Sequence, residues 1–135
     1  MKQTELSEPV RQFLMVYVHT FEDLEVLLAA RRLQGTAFAP DAIAQTLCMD
    51  VDSAALALGK LSDVGLIAPR SADPLTYEYR PPAALAVRVD ELSEAYETQH
   101  LLVITAISSN AITRVRTSAI KTFAEAFMLG KRPKK

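Results

Sequence analysis

Two short helical segments separated only by Cys48 and Met49 constrain this chain more than any other feature. Pro40 opens the first segment, which carries Ala42, Ile43 and Leu47. Asp50 is placed to cap the second, because its carboxylate can accept from the free N–H groups of a first helical turn. So short a connection makes the two helices cross by a tight turn. The second helix is expected to bury Val51, Ala54, Ala55, Leu58, Leu61 and Val64, spaced i, i+3, i+4, i+7, and to stop at Gly65 as the C′ residue. Residues 66–69 then read as a strand. Residues 70–75 read as a turn built from Ser71, Asp73 and Pro74, and residues 76–80 as a returning strand with Tyr77 and Tyr79 in alternation.

Helical periodicity flanks this unit on both sides. From Glu8, with Pro9 in the first turn, Val10, Phe13, Leu14 and Tyr17 recur at helical spacing. Thr20 caps a second helix whose first turn carries Asp23. Its stripe is Leu24, Leu27 and Leu28, its basic end Arg31 and Arg32, and its stop Gly35. Residues 36–38 read as a small bridging strand. After Pro81 and Pro82, Leu85, Val89, Leu92 and Tyr96 predict a long helical stretch toward Ile107, as one helix or two. Ser108, Ser109 and Asn110 are expected to break it and cap a final helix with Ile112, Val115, Ala119, Phe123 and Phe127. The fold class expected is mainly α with a small β-wing. Residues 1–81 form one domain with N-terminal helices, and residues 82–135 a C-terminal helical extension with a basic tail.

The 135 residues, half of them apolar, suffice to bury a core without covalent staples. One cysteine, Cys48, cannot form an internal disulfide and reads as a small buried hydrophobe. The apolar stretch 101–107 is far short of the roughly 18 residues of a membrane span, and no secretory leader is visible. A soluble cytoplasmic protein is the expectation. The net charge of −1 is unevenly spread: residues 1–67 carry five Lys/Arg and nine Asp/Glu, residues 68–135 ten and seven.

The run "DAIAQTLCMDVDSAALALGKLSDVGLI", followed by a wing ending in "YEYRP", resembles the winged helix-turn-helix superfamily, including the MarR-like bacterial transcription regulators. With "EDLEVLLAARR" before it and "FAEAFMLGK" after it, the whole is similar to small bacterial winged-helix proteins. The resemblance implies a DNA-binding transcription regulator working as a homodimer. On that reading Ser53, Leu56, Ala57 and Lys60 of the second helix, with Arg70 and Arg80 around the wing, contact DNA. The dimer would be built from Val10, Phe13 and Tyr17 with Ile112, Val115, Phe123 and Phe127.

Charge argues the other way. Residues 36–69 hold Lys60 against Asp41, Asp50, Asp52 and Asp63, and phosphate-driven affinity comes mainly from Lys and Arg. Leu56, on the outward face, offers bases no hydrogen bond but suits a thymine methyl or a protein partner. The alternative is therefore a winged-helix protein-interaction module without DNA binding. Residues 111–135 sum to +6, which fits a solvated basic helix and tail.

Nothing in the chain reads as an enzyme. His19 and His100 lie outside any hydrolase or metal signature. Only four glycines exist and none forms a phosphate loop. Asp90, Glu91, Glu94 and Glu97 read as a solvated acidic face. No metal or cofactor is expected. Tyr17, Tyr96 and Phe123 can line an effector pocket or serve equally well as core.

Overall fold

The computed structural model describes residues 6–131, with side chains described to residue 122 apart from 118 and 119. In chain order the elements are α1 (Glu8–Tyr17), α2 (Phe21–Arg32), α3 (Pro40–Leu47), α4 (Val51–Asp63), β1 (Ile67–Ala72), β2 (Leu75–Tyr79), α5 (Ala83–Thr98) and α6 (His100–Lys131). The protein is mainly helical with a small antiparallel hairpin. Among the described residues no helix is long and apolar enough to cross a membrane.

Local chemistry sets most boundaries. Ser7, Thr20 and Asp50 accept from Val10, Asp23 and Ser53 N–H groups and so cap α1, α2 and α4. Gly35 and Gly65, at φ of 89° and 86°, reverse the chain just after α2 and α4. Cys48 takes the left-handed conformation at φ 56°, and Met49 N–H reaches back to the Ala44 carbonyl. That geometry turns the Cys48 side chain outward, so the thiol is exposed and the expectation of a buried one is corrected.

α2, α3 and α4 pack on one another, and β1 and β2 close over α4 and α2. Leu24, Leu27, Ile43, Leu58, Leu61, Leu66 and Ile67 form the centre of this core. Phe38 exchanges both backbone hydrogen bonds with Tyr77, which ties the segment before α3 to the hairpin.

The hairpin is longer than expected and its loop shorter. The strands run on through residues 70–72 and resume at Leu75, with a register irregularity between Pro69 and Ser71. The difference has a simple cause: exposed residues continue a ladder through backbone hydrogen bonds without supplying any apolar signal. Ser71 Oγ donates to the Pro74 carbonyl across the tip.

A second correction concerns the C-terminal helices. The chain breaks at Gln99 and then runs as one helix through Ser108, Ser109 and Asn110. The helix penalties of Ser and Asn are a few tenths of a kcal/mol each. Buried Val103 and Ile107 anchor α6 before them, and Arg114, donating to the Met15 carbonyl, anchors it after. α1 packs on α5 and α6, so by contact it sides with the C-terminal helices and not with the unit that follows it in sequence.

Candidate functional site

The outward face of α4 is the surface on which the sequence argument placed macromolecular contacts. Val51, Asp52, Ser53, Leu56, Asp63 and Val64 are exposed there, while Ala54, Ala57, Leu58 and Leu61 are buried against the neighbouring elements. Ala57 is therefore corrected from contact residue to core residue. Val51 and Val64 move the opposite way: expected in the core, they stand at the two ends of the helix, beyond the layer that covers its middle. Leu56 is 66% exposed, the most exposed large apolar side chain of this helix.

Lys60 is half-buried and committed to a carboxylate of α2. Its Nζ lies 3.1 Å from Oδ1 of Asp23, with side-chain exposures of 41% and 4% respectively. The contact is an ion pair, not an aligned hydrogen bond. The other carboxylate oxygen accepts the His19 N–H at 3.4 Å. Asp23 thus joins the α1–α2 turn, α2 and α4 at one point. From sequence it reads as a first-turn charge, since its partner is 37 positions away; a lone acid at a helix start gives no sign of a distant lysine.

Of the wing cations, Arg70 pairs with Glu78 at 2.8 Å across the strands, and exposed Arg80 lines an open cleft with Gln34, Glu78, Tyr79, Pro82 and Asp90. Ser53 donates its N–H to Asp50 and keeps an exposed side chain. The proposed contacts Ser53 and Leu56 are thus together on one face, Lys60 is held against α2, and the two arginines lie at the hairpin.

The expected dimer residues also divide. Val10 and Phe13 are buried within the chain itself, where α1 packs on α5 and α6, and are corrected to core residues. Tyr17 is half-buried and stacks on Phe13 at 4.9 Å. Ile112 and Val115 are exposed, whereas the side chains of Phe123 and Phe127 lie outside the described residues.

Other polar groups are committed locally. Asp90 accepts from Arg31 and Glu91 from Arg88, each at 2.8 Å. Tyr96 donates to Glu25, and its ring lies tilted against those of Phe21 at 6.5 Å and His100 at 4.5 Å. The His19 ring lies 3.2 Å from the Val16 carbonyl. Among the described residues no group of three or more His, Cys, Asp or Glu is placed to hold a metal ion.

Tyr79 is a buried polar group with an unusual setting. Its hydroxyl has no hydrogen-bond partner among the described residues. Burial, reinforced by Asp90 and opposed by Arg31, pushes its pKa up to about 12. A folded-state value above the ordinary 10 means that this group's contribution is intact below pH 10 and is lost as pH rises toward 12. Between about pH 9.5 and 11 the wild type is expected to lose about 1 kcal/mol through this group. The Tyr79→Phe variant should lose less over the same interval and be no less stable at neutral pH, since it removes an unpaired buried hydroxyl. Denaturant midpoints at the two pH values check both statements.

Compared with protein-family models, with curated proteins and with solved structures, the chain matches none.

Proposed function

We propose that the chain is a winged helix-turn-helix module that docks a protein partner on the outward face of α4 and does not use that face to read duplex DNA. The winged-helix reading is supported by the order α2, α3, α4, β1, β2, by the tight turn at Cys48, and by the Phe38–Tyr77 bridge that adds a short third strand position to the hairpin.

The observation that carries the functional reading is the Lys60–Asp23 pair. It neutralises the single cation of α4 against a buried carboxylate of α2 and leaves Val51 and Leu56 among Asp52 and Asp63. A polyanion meets repulsion on such a face, because non-specific DNA affinity depends on phosphate neutralisation. A protein segment that offers apolar side chains flanked by Lys or Arg meets both burial and opposite charge.

Sequence-specific DNA binding, as a transcription regulator, is the second reading. Exposed Ser53 in the first turn of α4 and exposed Arg80 beside the hairpin favour it. Fluorescence anisotropy with pooled random and genomic duplexes, at about 50 and 200 mM salt, separates the two. The expected result is no saturable binding at the lower salt. Tight, steeply salt-dependent binding with enrichment of a palindromic site would replace the first reading by the second.

A further inference from the structure

At the foot of the hairpin an open cleft of about 760 Å³ lies where three parts of the chain meet: the turn after α2, the end of β2 and the start of α5. Its volume falls within the roughly 300–1,000 Å³ of small-molecule sites. Arg80 lines the cleft, is exposed, and makes no ion pair or side-chain hydrogen bond among the described residues. The two carboxylates of the cleft are already committed, Glu78 to Arg70 and Asp90 to Arg31, each at 2.8 Å. Three arginines against two carboxylates leave one positive charge without a counter-ion, and Arg80 carries it.

The neutral groups of the cleft add donors to that charge. The side-chain amide of Gln34 and the N–H of Gly35 line the same cleft at exposed positions and have no hydrogen-bond partner among the described residues. Tyr79, Pro81, Pro82 and Ala86 supply an apolar wall. The Tyr79 hydroxyl is sealed from solvent and adds no contact. Other surface grooves lack this combination. The one beside Glu94 and Thr98 holds no cation, and those along α1 have Arg88 and Arg11, each paired with a glutamate.

We propose that this cleft binds a small organic monocarboxylate, with the carboxylate on Arg80 and an apolar body against Tyr79, Pro81 and Pro82. A guanidinium suits that anion because it can give two parallel N–H···O bonds, and the Gln34 and Gly35 donors serve the same charge. The committed carboxylates Glu78 and Asp90 disfavour dianions, so one negative charge is the match. A bound ligand touches both the hairpin and α5 and so braces one on the other, next to the Arg31–Asp90 pair that already joins α2 to α5. The site is separate from the outward face of α4, and its failure leaves the protein-docking reading untouched.

The test titrates the full-length chain with benzoate and with hexanoate, followed by amide chemical shifts, with benzamide as the neutral counterpart of benzoate. At least one carboxylate is expected to bind saturably below about 10 mM, with the largest shifts at residues 34–35 and 78–82. Benzamide, and either carboxylate with the Arg80→Gln variant, should bind about tenfold more weakly or worse, because the charge-assisted pair is lost. Arg32→Gln removes an equal charge from an exposed position outside the cleft and should change affinity less than about twofold, since salt screens it. Amide dispersion in the same spectra establishes that each variant is folded. No saturable binding of either carboxylate, equal binding of benzamide, or affinity indifferent to Arg80→Gln overturns the proposal.

Discussion

Replacing Lys60 by methionine is expected to destabilise the fold by about 2 kcal/mol, although a surface lysine ordinarily contributes almost nothing. The Asp23 carboxylate is only 4% exposed, and its Oδ1 faces the Lys60 ammonium at 3.1 Å. Methionine leaves that carboxylate buried with no compensating cation and only the weak His19 N–H at 3.4 Å on its other oxygen. Breaking a fully buried pair from one side costs about 3–5 kcal/mol. The 41% exposure of Lys60 lets water reach the site and lowers the expectation.

The reverse single substitution, Asp23→Asn, should cost less, because Lys60 can then extend into solvent. Asp23→Leu combined with Lys60→Met should recover most of the loss, as a buried pair replaced whole by apolar groups often does. Urea midpoints of wild type, Lys60→Met, Asp23→Leu and the double variant give the cycle. Additive losses would show that the two side chains act independently. Their coupling also matters for function, since a lysine held in an ion pair with a buried carboxylate is unsuited to serve as a free phosphate contact.

The second large effect separates two leucines two positions apart on α4. Leu58 is fully buried, in the core shared with α2, whereas Leu56 is 66% exposed. Leu58→Ala is expected to cost about 3 kcal/mol, from lost transfer energy and the cavity left behind. Leu56→Ala should stay within about 0.5 kcal/mol of wild-type monomer stability. Thermal or denaturant unfolding checks the pair, under dilution that keeps the protein monomeric so that association does not contribute. Comparable losses at both positions would mean that α4 packs on its other face, and the proposed docking surface would then lie in the core.

Much of the architecture was legible because the signals are local. A cap needs one side chain and the N–H three residues on, so Thr20 and Asp50 announce their helices by themselves. Gly65 after a helical stripe, and Pro81 and Pro82 after a tyrosine pair, mark ends for equally local reasons. Ser108 to Asn110 misled because a weak propensity was read where burial on either side governs. Ala57 and Val51 exchanged places because a 3.6-residue period gives the direction of each side chain around α4 but not how far the neighbouring elements extend along it.

What the amino-acid sequence by itself determined is the series of elements between Phe21 and Tyr79, the caps at Thr20 and Asp50, and the opposite charges of its two ends, all properties carried within a few residues or by simple counting. Only the tertiary structure decided that Asp23 takes Lys60 out of the outward face, that Val10 and Phe13 are core and not interface, and that α6 runs unbroken past the end of α1. Each of these depends on groups brought together from distant parts of the chain, and no local pattern records which partner a buried charge or an apolar stripe will meet.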